Sequence, residues 1–296
     1  PRARCMTPGA IDSLAPVARR STQTASPDGG SPKRRGADVA RTGSTLELRG
    51  FLRLAERAIH RAMQSIVTTT FRDDVAVIQM DDGKANALSP AMLTGLAEGL
   101  ELATSKARAV VLTGRAGRFS AGFDLKIMTS GPEAARALVT AGCETVLRLY
   151  EHPQPVVVAA TGHAIAGGAV LLLAGDLRLG AKGPYQVWLN EVAIGLPMPL
   201  FVSELARERL ARERFVQSTL LARPCDPDQA VATGFLDAVV DEAALLDEAC
   251  ASAAKLAELP AKAYAVTKRS LREVLVNEVR ATLNDDLDRV FAAFGR

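Results

Sequence analysis

The chain has 296 residues, 48% of them apolar and 23% charged, a length for one or two domains and a composition that can fill a globular core. Its four cysteines, Cys5, Cys143, Cys225 and Cys250, are far apart with no C-x-x-C pair, which argues against a disulfide scaffold, a zinc knuckle or a thioredoxin-like motif and makes a reducing compartment the default. The net charge of +3 is lopsided, because residues 1–62 carry 12 Lys and Arg against 5 Asp and Glu; with aromatics at only 4%, no nucleic-acid partner is expected.

Residues 1–45 are rich in Ser, Arg, Pro, Gly and Ala without apolar periodicity, so disorder is expected there. Over 46–66, Leu48, Phe51, Leu52, Ala55, Ile59 and Met63 fall at helical spacing, with Arg49, Arg53, Arg57 and Arg61 four apart on another face. Such a leader, residues 1–66, reads as a mitochondrial transit peptide or membrane-surface segment. The other reading is upstream sequence foreign to the natural protein, since the chain opens with Pro and Met63 just precedes the first strand-like run. The expected location is therefore cytoplasmic, or mitochondrial if the leader is a transit peptide.

A core over 67–259 and a C-terminal helical region over 260–296 follow. Residues 74–80 predict a strand closed by Asp81-Asp82-Gly83; Ser89 then predicts an N-cap with Pro90 at the first helical position and Met92, Leu93, Leu96 and Leu100 as an apolar stripe. Residues 109–113 predict a strand, 132–150 a helix, and 155–160 a second buried strand before a Gly-rich turn and Val170-Leu-Leu-Leu173. Strands alternating with helices predict an α/β core. Residues 156–175 contain no charge and are long enough to span a bilayer, but four glycines, His163 and a change from β-branched to Leu-rich composition favour strand, turn and buried helix; no membrane span is expected. Beyond Leu205 the pattern predicts helices over 210–221, 226–233, 242–259 and 261–294. The last is a long amphipathic stretch expected to pack on a neighbour in an oligomer, or back on its own body.

Two glycine-containing loops follow buried strands. Gly162-His-Ala-Ile-Ala-Gly167 has the outer spacing of a P-loop, but Gly168-Ala169 stands where Lys and Ser/Thr are required, and no G-x-G-x-x-G is present in either loop. In Gly117-Arg-Phe-Ser-Ala-Gly122, Arg118 occupies the first glycine position of a nucleophile elbow, so Ser120 is not expected to be a nucleophile. What two such loops offer is backbone N–H groups aimed at one oxygen, an oxyanion hole; alternatively the glycines only permit tight turns and close helix packing.

Phe119-Ser-Ala-Gly-Phe-Asp-Leu-Lys126 after Val110-Val-Leu-Thr-Gly114, and Pro155-Val-Val-Val-Ala-Ala-Thr-Gly-His-Ala-Ile-Ala-Gly-Gly168, resemble the paired signatures of the crotonase (enoyl-CoA hydratase/isomerase) superfamily, and Gly83-Lys-Ala-Asn-Ala-Leu88 resembles its N-A-L segment. The resemblance runs from about Val67 to the C-terminus. It implies a crotonase-like spiral of ββα units with a C-terminal helical oligomerisation region, a trimer or hexamer, an enzyme of fatty-acid metabolism, and an acyl-CoA thioester as partner. It places the Phe123 and Gly167 N–H groups on the thioester oxygen. Ala121, Gly122, Asp124, Leu125, Lys126 and Gly168, with the turn around Ala85 and Ala87, would lie along the CoA-bearing substrate. No metal and no cofactor beyond the CoA of the substrate are implied. Asp124 reads either as a catalytic carboxylate or as a structural residue holding the loop that presents Phe123.

Hydratases of the family resemble one another in having two glutamates. At the first of these positions stands Val170; the second falls on Glu191, in Trp188-Leu-Asn-Glu-Val-Ala-Ile-Gly-Leu-Pro197, which resembles the Asn-Glu-x-x-x-Gly segment of monofunctional Δ3,Δ2-enoyl-CoA isomerases. One carboxylate suffices to move a proton between C2 and C4 but is poorly equipped to orient water. The resemblance thus implies an isomerase with Glu191 as acid and base; the alternatives are a hydratase, which is a lyase, and a non-catalytic acyl-CoA-binding protein. His163 reads as a packed or backbone-bonded histidine, Tyr185 and Trp188 as lining the core or acyl pocket, and Lys268 and Arg269 as candidates for a CoA phosphate or as solvated helix charges.

Overall fold

A computed structural model describes residues 65–293, so the expectations for the leader up to residue 64 and for Phe294 lie outside the described residues. Two sheets share the body. Strands β1 (Val67–Arg72), β2 (Val75–Met80), β3 (Ala109–Thr113), β5 (Val156–Ala160), β7 (Leu177–Ala181) and β9 (Ala238–Val240) form a six-stranded sheet in that order, in which the β1–β2 pair is antiparallel and the rest parallel. The short strands β4 (Gly117–Ser120), β6 (Gly162–Ile165) and β8 (Val187–Trp188) form a parallel three-stranded sheet. From β3 to β8 the chain alternates between the sheets, each pair of strands being followed by helix: this is the α/β spiral of ββα units expected.

The large sheet is covered on both faces, which is why its strands read as unbroken apolar runs. Ile78, Val110, Leu112, Val156 and Val158 pack in one core with helices α1 (Pro90–Lys106), α3 (Pro132–Tyr150) and α4 (Gly167–Leu173). The alternate residues Val77, Val111, Val157 and Leu179 pack with Leu245, Ala249 and Ala253 of α8 (Leu245–Ala257). The Ser89 side chain caps α1, accepting from the Met92 N–H at 3.2 Å. The apolar stretch before Gly175 is strand, turn and the buried helix α4, and no helix among the described residues is long and apolar enough to cross a membrane.

Three expectations change. Strand β1 precedes the predicted 74–80 strand; its Thr-rich, largely exposed face carries no alternation, and Asp73 closes the hairpin at φ 50°. The helix expected over 210–221 is instead α5 (Leu200–Arg209), beginning after Pro199, with only the single turn α6 (Phe215–Ser218) further on. Leu210 is extended because the Ala211 N–H donates to the Thr233 oxygen at the end of α7 (Pro227–Thr233), a tertiary bond that ends the helix. Ahead of α8, part of the predicted 242–259 helix is turn, and β9 adds an edge strand.

Helix α9 (Ala261–Ala293) packs back on its own body. Val276, Val279, Leu287 and Val290 are buried, while Val266, Leu271 and Val274 are exposed. Two cations fix its N-terminal half: Lys268 Nζ and Arg272 Nη2 reach the two oxygens of Asp176 at 2.6 and 2.7 Å, and the Val156 N–H donates to the same carboxylate at 2.7 Å. Removing the shared anion would leave both cations buried without it, which typically costs about 3–5 kcal/mol. Asp176→Asn is accordingly expected to lower the urea midpoint by that much stability with an unchanged m-value; a loss under about 1 kcal/mol would show that the cluster does not hold α9.

Candidate active site

The first loop is shaped by the segment before α1. Asn86, buried at φ 52°, donates from Nδ2 to the Met80 and Phe119 oxygens at 2.9 and 3.1 Å. Ser120 Oγ donates to the Asn86 oxygen at 2.7 Å and accepts from the Gly122 N–H at 3.2 Å, so this hydroxyl is spent on structure rather than on nucleophilic attack. The Ala121 N–H donates to Ala85 at 3.0 Å, the Leu88 N–H to Gly122 at 2.8 Å and the Asp124 N–H to Leu88 at 3.3 Å. Because Leu88 bonds to the residues on either side of Phe123, the Phe123 N–H is turned away from this rail. It has no partner among the described residues.

The second loop joins β6 to α4. The Ala166 N–H donates to Trp188 at 2.8 Å and the Ala166 oxygen accepts from the Val170 N–H at 3.1 Å. A trans peptide sets the next N–H opposite to that carbonyl. The Gly167 N–H therefore points out of α4, and it too has no partner among the described residues. The loops touch: a Cβ on Gly122, whose φ is 85°, would lie 3.0 Å from the Gly167 nitrogen. Both Phe123 and Gly167 line one cavity of about 190 Å³.

Glu191 lines the same cavity, just before a single 3₁₀ turn, Val192–Ile194, that ends at Gly195 with φ 78°. Its side chain is buried, and Oε2 has no hydrogen-bond partner among the described residues. Burial pushes its carboxyl up to about 7, since removing an anion from water favours the protonated form. Val170 forms part of the wall, and Glu191 is the single ionisable side chain among the lining residues. The walls otherwise come from Met128 of α2 (Leu125–Met128), Val139 and Val146 of α3, Phe201 and Val202 of α5, and Leu196. Sequence reasoning could not place these, because the helices meet there only through tertiary packing. The sequence motif includes Asn190 but assigns it no role; its Oδ1 is buried without a partner among the described residues beside the same cavity.

Of the other residues singled out, Ala121 and Leu125 line the cavity, and Leu125 is exposed at its rim. Ala85 and Ala87 are half-exposed on the rail, and Lys126 is exposed on α2. Asp124 caps α2, accepting from the Lys126 N–H at 2.9 Å, a loop-holding position. Gly168 supports loop packing, since a Cβ there would lie 2.3 Å from the Ser120 oxygen. His163 Nδ1 accepts from the Gln186 N–H at 3.2 Å and is outside the cavity; burial, then the Arg118 charge, lower its pKa. Neither Tyr185 nor Trp188 lines the cavity; Tyr185 packs against the core beneath α8, as one of the two expectations had it, with its hydroxyl donating to Glu242 at 2.9 Å, and Trp188 Nε1 donates to the Ala222 oxygen at 2.6 Å. Lys268 is not a solvated charge but half of the buried Asp176 cluster, while Arg269 is exposed.

The enoyl-CoA hydratase/isomerase family model matches residues 70–294. Human mitochondrial enoyl-CoA delta isomerase 1 is 32% identical over 228 residues, 74% of this chain and 74% of that protein. A putative enoyl-CoA hydratase of Thermus thermophilus is 34% identical over 208 residues, covering 67% of this chain and 80% of that protein. Among solved structures, an enoyl-CoA hydratase/isomerase family protein from Pseudomonas syringae is 40% identical, with a TM-score of 0.75 over 77% of this chain and 100% of that one.

The Glu191 environment sets a pH signature on stability. The folded chain binds this proton more tightly than the unfolded chain does, so the contribution is full below the ordinary value of 4.5 and is lost as pH rises through about 7. Glu191→Gln removes that loss. It is expected to stabilise the protein by about 3 kcal/mol at pH 8 and far less at pH 5, measured by urea unfolding; an equal effect at both values would show the carboxyl to be ionised throughout.

Proposed function

The chain belongs to the enoyl-CoA hydratase/isomerase family, and from that premise we propose that it converts a 3-enoyl-CoA into the 2-enoyl isomer, with Glu191 carrying the proton. The Glu191 carboxylate removes a proton from C2; the C2–H electron pair passes toward the thioester carbonyl as the dienolate forms. The Phe123 and Gly167 N–H groups hold the oxygen on which the charge develops. Losing one such donor typically raises a barrier by roughly 3 kcal/mol. The protonated Glu191 then delivers the same proton to C4, and the double bond comes to rest between C2 and C3. Proton transfer of this kind uses no metal and no cofactor beyond the CoA of the substrate itself.

The observation that carries this reading is a cavity whose lining has one ionisable group and a valine, Val170, in place of a second. Water addition calls for a group to orient the water and another to supply a proton. Beside Glu191 the lining offers no second carboxyl, and its other polar side chains are Thr129 and Asn190. A carboxyl held near 7 suits both halves of the shuttle, being a stronger base than an ordinary glutamate and still able to return its proton at neutral pH. CoA contacts along residues 121–126, Ala85, Ala87 and Gly168, and assembly as a homo-oligomer, belong to the same reading.

With a trans-3-enoyl-CoA as substrate, Glu191→Gln is expected to lower kcat by about 10²–10⁴-fold while KM changes little. In the unaltered enzyme kcat/KM should rise with pH to a plateau through about 7, because the free enzyme must hold the carboxylate. Isomerisation at the unaltered rate in the variant removes Glu191 from the mechanism. Hydration of 2-enoyl-CoA without isomerisation, or binding of both thioesters without turnover, replaces the reading by a hydratase or a binding protein respectively.

A further inference from the structure

Ala166 has a backbone that an L-residue rarely adopts, φ 49° and ψ −125°. This is the region of the first central residue of a type II′ turn, where glycine is the usual occupant. Glycine would meet the local geometry without strain, yet a methyl group is present. It is held there from both sides. The Ala166 N–H is tied to Trp188 of the small sheet and the Ala166 oxygen to Val170 of α4, so the strained residue is fixed at both of its peptide planes.

The methyl group faces the other loop: a Cβ added to Gly122 would lie 2.8 Å from the Ala166 Cβ. Ala166 thus fills the space beside Gly122 at the place where the loops bearing the two unpaired N–H groups meet, and it lines the cavity next to Gly167. Strain of this kind persists only where surrounding structure over-determines it, and it concentrates where geometry is used.

We propose that Ala166 is a positioning residue, whose methyl group acts as a spacer between the loops and fixes the Gly167 N–H at the separation from the Phe123 N–H that one thioester oxygen requires. It acts through Gly167 rather than on substrate. This rests on the oxyanion-hole part of the proposed function but not on which reaction follows. Without the methyl group, Gly122 can settle toward residue 166 and the Gly167 peptide can rotate, so the two donors no longer converge. Misplacement on the scale of an ångström is enough to cost up to about a hundredfold in rate.

The test is Ala166→Gly in the full chain, with three readouts. Relief of strain is expected to raise the thermal midpoint by about 2–4 °C. Turnover of a trans-3-enoyl-CoA is expected to fall about tenfold or more in kcat with KM within twofold, a split that simple destabilisation does not produce. The infrared carbonyl stretch of bound, carbonyl-labelled octanoyl-CoA, shifted to lower frequency by the two donors in the unaltered protein, should move back toward its value in water. A variant with unaltered kcat and unaltered carbonyl shift overturns the inference, as does a lowered midpoint. If the unaltered protein binds octanoyl-CoA with a shifted carbonyl but isomerises nothing, the carbonyl readout alone decides and the isomerase reading fails separately. If the unaltered protein gives no carbonyl shift, the oxyanion hole itself is refuted, and the spacer role with it.

Discussion

The site depends on two backbone N–H groups that the fold declines to satisfy. A buried amide without a partner is costly, and nearly all are paired in native proteins. Here the surrounding donors and acceptors are consumed one after another: Asn86 takes the Met80 and Phe119 carbonyls, Leu88 bonds on both sides of Phe123, and Ala166 is tied at its N–H and its oxygen. Among the described residues the Phe123 and Gly167 N–H groups, which line the cavity, are left without a partner. Their direction follows from the neighbours' bonds, since a planar peptide cannot turn one end without the other. The loops need little freedom of their own once the rail and the small sheet are in place.

That arrangement draws on the stability of the rest of the molecule. Residue 166 is strained on the order of 1–3 kcal/mol, and Glu191 is desolvated enough to hold its carboxyl near 7. Neither would survive in a weak scaffold. The large sheet, buried on both faces between two hydrophobic cores, and the Asp176 cluster that fastens α9 are the elements that make these departures tolerable. Function here is concentrated in loops because the strands below them have no latitude.

What could be read from the sequence was what local chemistry encodes. Buried parallel strands announce themselves as apolar runs such as Ala109-Val-Val-Leu-Thr113, caps as Ser89-Pro90, and chemistry-bearing loops as glycines following those strands. What could not be read is set by partners distant in the chain. β4, β6 and β8 are only two to four residues long, and β4 and β6 begin with glycine, so no period exists to detect. Leu210 looks like a helix residue until Thr233 pairs with its neighbour. Lys268 reads as a phosphate-binding candidate or a solvated helix charge because nothing near it in sequence reveals Asp176. The cavity wall is hidden for the same reason: Val139, Phe201 and Val202 are ordinary core residues until the helices bring them to the cavity that Glu191 lines.

Val170 connects these themes. An apolar side chain beside the cavity excludes water, and the same exclusion raises the basicity of Glu191 and strengthens any bond that the two amides make to a developing negative charge. A second carboxylate in its place would bring water and like charge, pushing the two titrations apart and dividing the work between two groups. On the proposed isomerase reading Glu191 is both base and acid, and burial, without a charged partner, holds its carboxyl near 7, where each form is accessible.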